Sequence, residues 1–351
     1  MDLNLTLLEP SKPVELVEQQ LPKQKAKAER IYAIDWLRVL AFGILMIYHT
    51  AEVFTTWDWW VKNEETSPLL SYSMMFFHEW RMFLLFIISG AATHLALGKR
   101  TPIKFLADRT MRILVPLAAA MLLVIPPQIY FIQLHQGDNI SFGEFYLQLF
   151  EFRWFPKGNF HWLHLWYMAF LFSYIVLMLP VLQALKSPKG KALVEKTAKF
   201  ISKTWILLPL ALLLETPYYI AKLTDANSNL RSLLFYFPYY AFGTILLTKK
   251  EVIGSFSKNR RLALLLATVT TTIFYLCFWI KDDAGNVLIN LGLSHSGNEV
   301  FETILTSLNH WFWVIAIIGY GLNYLTEGAP FLNYANKAIA PFYILHQTII
   351  I

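Results

Sequence analysis

The sequence predicts an all-α protein, a polytopic bundle of transmembrane helices, and three observations carry that prediction. Apolar residues make up 56% of the 351 and charged residues 15%, where a soluble domain carries about 25% charge. Uncharged apolar runs recur, 262–280 among them, and a helix needs about 20 such residues to cross the hydrocarbon core. Lys and Arg also alternate between successive connections, with 22 on one set and six on the other.

Residues 1–29 hold three prolines, many Lys and Glu and no periodic apolar face. They are expected to form a disordered tail, which leaves 30–351 as the membrane domain. No apolar signal region precedes Arg30, so the first run is expected to stay as an uncleaved anchor. Spans are predicted at 31–54, 74–97, 113–132, 160–183, 204–222, 230–248, 260–280, 302–323 and from 336 onward. The last run, "AIAPFYILHQTIII", is still apolar at residue 351, so ten or more spans are expected in the intact chain. "TTWDWW" at 55–60 and "RWFPKGNFHW" at 153–162 have the composition of interfacial aromatic belts.

The positive-inside rule makes the tail and the basic connections 98–112, 184–203 and 249–261 cytoplasmic, and 55–73 external. The net charge of +6 is therefore a topology signal, and no nucleic-acid partner is expected. Cys277 is the only cysteine. It can form no intrachain disulfide and is read as packing. No internal repeat is visible, so an inverted-repeat transporter has no support from this feature. No metal is expected.

The first span, "RIYAIDWLRVLAFGILMIYHTAEVF", carries Asp35, Arg38, His49 and Glu52. From Arg38 to His49 is eleven steps, a net rotation of about 20°, so both share one face some 16 Å apart. Each residue alone has an ordinary explanation: Arg38 can snorkel to the surface, and His49 can bond a neighbouring helix. Together on one face with two carboxylates they point to a polar cavity or functional site, because ionisable groups in lipid are costly. Span two adds His78, Glu79 and Arg81 near its outer end. Ser89–Gly90 lies further in and reads as a small-residue packing notch rather than a nucleophile. His161 and His164 open span four, Glu215 lies between Pro209 and Pro217, and His346 sits in the last run. In "GKRTPIKFLADRTMRILVP", Lys99, Arg100, Lys104, Arg109 and Arg112 cluster. Arg109 and Arg112, spaced i, i+3, fit either a stop-transfer anchor or a polyphosphate clamp.

These segments resemble membrane acyltransferase family 3. "IDWLRVLAFGILMIYHT" is similar to its first helix, with Arg, ten residues, then His. "FHEWRMFLLFIISGAATHLAL" resembles its second segment and "DRTMRILVP" its Arg-x-x-Arg before proline. "HLWYMAFLFSY" and "FYILHQTII" follow in register, so the resemblance runs from about residue 31 to the end. The aromatic first outer loop, "HEWRM" and "HLWYM" resemble the members that succinylate periplasmic glucans more than the O-antigen acetyltransferases. Unlike the latter, this chain follows Trp166 with Tyr-Met-Ala-Phe rather than a Glu.

The resemblance implies an inner-membrane O-acyltransferase with a cytoplasmic N-terminus. It would move an acetyl or succinyl group from cytoplasmic acyl-CoA to a hydroxyl of an envelope glycan. It also implies that Arg38, Arg109 and Arg112 hold the acyl-CoA. His49 would be catalytic, with Glu52 and Asp35 beside it, and His78, Arg81, His164, Trp166 and His346 would contact the acceptor. Membrane lipid surrounds the whole. No hydrolase-type domain is read in the chain, so transfer is expected to finish in the membrane domain. An imidazole titrating near neutrality suits a general base, and a transient acyl-imidazole is the alternative. The rival class is a sugar or lipid transporter or flippase. It would tolerate loss of His49 and consume no acyl-CoA, whereas a non-catalytic scaffold would bind none.

Overall fold

A computed structural model describes residues 30–98, 100–154, 157–282 and 285–351. The expected tail 1–29 and Lys99 of the basic cluster lie outside the described residues. The described residues are all-helical, with isolated bridges only at Trp154–Phe160 and Lys281–Val287. In chain order the helices are α1 (Tyr32–Glu52), α2 (Pro68–Leu97), α3 (Pro102–His135, an apolar run of consecutive turns), α4 (Phe142–Gln148) and α5 (Leu163–Ala184). There follow α6 (Pro188–Ile201), α7 (Thr204–Leu223), α8 (Ser228–Ile245), α9 (Lys250–Trp279), α10 (His295–Tyr324) and α11 (Pro330–Ile350).

Several helix starts are written plainly in the sequence. Ser67-Pro68, Thr101-Pro102 and Ser187-Pro188 open α2, α3 and α6. In each the hydroxyl accepts an otherwise orphaned backbone N–H and the proline occupies a position that needs none. In α3 the turn over Thr110–Leu114 widens to π geometry. Pro116 lies just beyond it and cannot donate to the carbonyl four residues back, which accounts for the altered ladder.

Seven helices are long and apolar enough to cross a membrane among the described residues. Two of the predicted spans, α8 and α11, are helices but fall short in apolar character. The first opens "SNLR", and the second carries Asn333, Asn336, Lys337, His346 and Gln347. The basic connections are also shorter than expected. Much of 184–203 is helix α6, and of the basic residues of 249–261 only Lys249, the N-cap, precedes α9, while Lys250, Lys258, Arg260 and Arg261 lie within it.

α2 is the central helix, with 78% of its spanning window buried against 56% or less for the others. Its contact with α8 is backbone to backbone. A Cβ on Gly90 would meet the Tyr240 carbonyl at 2.2 Å, and one on Gly243 would meet the Ile87 carbonyl at 1.9 Å. The Ser89–Gly90 notch thus lets two helices approach closely, and Ser89 Oγ lies 2.5 Å from the Tyr167 hydroxyl.

Candidate active site

The buried face of α1 runs Ala33, Ile34, Leu37, Ala41, Phe42, Leu45, Tyr48 and Glu52, the i, i+3, i+4 stripe of an amphipathic helix. Its last turns therefore deliver Tyr48 and Glu52 into the bundle, with His49 on the flank. There, with residues from α2, α5, α8 and α11, they line a cavity of about 180 Å³. His78 and Arg81 enter from α2, His164 and Trp166 from α5, Tyr236 from α8 and Tyr343 from α11.

Arg81 is 3% exposed, and its Nε and one terminal nitrogen have no hydrogen-bond partner. Its guanidinium lies over the Tyr48 ring, 3.8 Å from the centroid, which offsets part of the cost of burying the charge. The carboxylate of Glu52, itself buried, acts on it electrostatically. The Tyr48 hydroxyl is 3.0 Å from His78 Nδ1. His49 Nδ1 meets His346 Nε2 at 2.7 Å, with the rings nearly parallel at 9°. His164 Nε2 donates to the Ile344 carbonyl at 3.1 Å, and its buried Nδ1 has no partner.

Just outside α1, Lys62 Nζ donates to the Glu52 carbonyl at 2.7 Å and to both oxygens of Thr55. An ammonium at a helix C-terminus satisfies orphan carbonyls there. Partial burial pushes this amine below its usual range, while Glu52 and Asp58 act against the shift.

The cavity combines three kinds of group. Arg81 supplies unused donors, His49 and His164 supply unused imidazole nitrogens, and Glu52 supplies a buried carboxyl group beside them. Of the sequence-nominated residues, His49, Glu52, His78, Arg81, His164 and Trp166 come together here. His346 does not line the cavity but stands behind His49, on an apolar groove with Phe342 and Leu345. Asp35 is not brought to the site. It sits fourteen residues before His49 on α1, 3.8 Å from Arg38, a rise of about 21 Å away.

Arg38 shares that opposite end with Arg100, Arg109 and Arg112, all near enough to act on Arg109. The widened turn treats the predicted pair unequally. Arg109 is half-buried with an unpartnered Nε and lies 4.9 Å over the Phe105 ring, whereas Arg112 is exposed.

Sequence reasoning missed Tyr48, Tyr236 and Tyr343, which give no signal among the chain's 17 tyrosines. It also missed His310. The available signal was a histidine inside the apolar run "NHWFWVIAIIG". His310 Nδ1 lies 2.7 Å from Glu215 and Nε2 lies 2.9 Å from Glu79, a second buried cluster outside the cavity.

Fold and site define a class: an integral membrane helix bundle with a buried histidine–arginine centre. The family profile described as an acyltransferase domain matches residues 31–351. The chain belongs to that family, membrane acyltransferase family 3. Curated relatives bear the name glucans biosynthesis protein C. The one from Escherichia coli O157:H7 is 20% identical over 337 residues, covering 91% of this chain and 82% of its own. The one from Shigella boydii serotype 4 is 26% identical over 114 residues, 32% of this chain and 30% of its own length. The one from E. coli O6:K15:H31 is 25% identical over 147 residues, 41% and 37%. The matched segments thus span about a third of the length of most of these relatives and most of the length of one. No solved structure matches the chain.

Proposed function

We propose that this protein is an O-acyltransferase of the inner membrane. It moves an acyl group, acetyl or succinyl, from cytoplasmic acyl-CoA to a hydroxyl of an extracytoplasmic glycan such as a periplasmic glucan. The observation that carries this reading is the meeting, in one cavity, of the unpartnered donors of Arg81 with the free nitrogen of His49. A thioester carbonyl needs a donor where negative charge develops, and the attacking hydroxyl needs a base.

In the proposed step the hydroxyl oxygen bonds to the acyl carbon while His49 Nε2 takes the hydroxyl proton. Arg81 donates to the carbonyl oxygen as it gains charge. The carbon–sulfur bond then breaks, and the proton passes from His49 to the CoA thiolate. Glu52 balances the imidazolium that exists between these events. Tyr236 and Trp166 offer the aromatic surfaces on which a sugar ring packs. Arg38, Arg109 and Arg112, at the far end of α1 and α3, would meet the donor's phosphates.

The test is mass spectrometry of envelope carbohydrate from cells carrying the wild-type gene, no gene, or His49→Gln. Loss of one added acyl mass in both altered strains supports the reading. Normal acylation with His49→Gln removes the base, and an unchanged carbohydrate profile without the gene removes the glycan acceptor.

A further inference from the structure

The His49–His346 hydrogen bond has a direction, and the backbone sets it. His346 Nδ1 is 2.8 Å from the carbonyl oxygen of Tyr343. A carbonyl can only accept, so Nδ1 carries the proton. A neutral ring protonated there presents Nε2 as a lone pair. The doubly protonated alternative would bury a cation near Arg81 with no carboxylate hydrogen-bonded to either ring, the costly arrangement for a charge out of water. His49 Nδ1, 2.7 Å from that lone pair, is therefore the donor. The other nitrogen of His49, Nε2, makes no hydrogen bond to the described residues, and the ring lines the cavity.

We infer that His346 is a positioning residue: the chain Tyr343 carbonyl–His346–His49 locks His49 in the tautomer whose Nε2 accepts the substrate's proton. This rests on the general-base reading of His49 and names the group that sets the base. The proton balance closes without His346 changing state. The hydroxyl proton arrives at His49 Nε2 and leaves to the thiolate, while Nδ1–H stays bonded to His346 throughout. The position of His346 fits this role. It touches His49 with one nitrogen and its own helix with the other, and its remaining exposure faces an apolar groove rather than the cavity. An imidazole whose second nitrogen is fixed by a neighbour has a defined tautomer and ring orientation.

The experiment has a direct and a kinetic arm, both on the full chain in lipid nanodiscs. With ¹⁵N-histidine labelling, the His49 signals are assigned by their loss in His49→Gln. The wild type should show Nδ1 protonated and Nε2 bare, and His346→Leu should shift His49 toward the Nε2–H form. In acyl transfer, His346→Leu should lower kcat about ten- to a hundredfold with the donor KM unchanged. It should also displace the acid limb of the kcat–pH profile, which Glu52 of α1, His78 and Arg81 of α2 and His164 of α5 share with the pair. His346→Gln, which keeps one acceptor and one donor, should regain part of the rate. A wild-type His49 protonated at Nε2 overturns the inference, and this reading stands even where a His346 variant fails to fold. So does a His346→Leu enzyme with normal kcat and pH profile beside an inactive His49→Gln, a result that leaves the base intact. Full activity in His49→Gln instead overturns the base reading itself.

Discussion

His310 Nδ1 lies 2.7 Å from Glu215 Oε1, deep between α10 and α7. The other ring nitrogen is 2.9 Å from Glu79 Oε2 on α2, so the imidazole donates to a carboxylate on each side. The Tyr239 hydroxyl at 3.0 Å and the Ser307 hydroxyl at 2.8 Å complete the coordination of Glu215. Glu215 and His310 are 0% and 6% exposed. Such a cluster holds three spanning helices at a fixed depth, because each acid would be an uncompensated charge without the histidine.

His310→Leu should therefore cost about 3–5 kcal/mol of stability by leaving two buried carboxylates without their partner. The triple variant that adds Glu79→Gln and Glu215→Gln should recover most of it. Thermal unfolding in detergent measures both. A single variant as stable as wild type would mean the cluster holds nothing together.

Arg81→Met should lower kcat about a hundred- to a thousandfold, the range for losing a donor aimed at a developing oxyanion. Arg81→Lys should recover little, since an ammonium lacks the planar fork and stacks less well on Tyr48. Steady-state kinetics with purified protein tests this. Lys in full replacement of Arg would show that charge alone is needed.

Gly243→Ala should destabilise by about 1–3 kcal/mol or more, as overpacking does, because its Cβ would sit 1.9 Å from the Ile87 carbonyl. Gly43→Ala is the control. A Cβ there has nothing within 4 Å, and alanine is the better helix former. Melting temperatures of the two variants should move in opposite directions.

Arg109→Lys should weaken acyl-CoA binding more than Arg112→Lys. The former is half-buried with an unpartnered Nε and the latter is exposed. Each charge-assisted bond lost costs about 1.5–3 kcal/mol, roughly ten- to a hundredfold in affinity. Calorimetry decides it, and equal affinities across wild type and both variants would make these arginines topology anchors.

Orientation is testable at Lys191, on α6. The native Cys277 is buried, so labelling of a Lys191→Cys variant has a quiet background. An impermeant thiol reagent applied outside should leave it unmodified until the membrane is opened. Labelling from outside would invert the proposed topology and with it the side from which the donor enters.

Sequence alone determined the helical bundle and the shared face of Arg38 and His49 on the first helix, while the serine- and threonine-proline pairs that open α2, α3 and α6 are local signals inside stretches read as connections. These follow from local physics: lipid excludes irregular backbone, proline and hydroxyl side chains cap, and a 3.6-residue period fixes which residues share a face. It also placed the polar groups of separate spans at comparable depths, and the fold brings six of the nominated residues to one cavity. Only the tertiary structure decided the partners. Asp35 shares a helix with His49, yet the axial rise carries it to the opposite end. His346 is 297 residues from His49, and which nitrogen faces which depends on a carbonyl of α11 that no spacing rule reveals. His310 lies 95 residues from Glu215 and 231 from Glu79. Periodicity says which face a side chain occupies, but packing of separate helices at fixed depth and rotation chooses what that face meets.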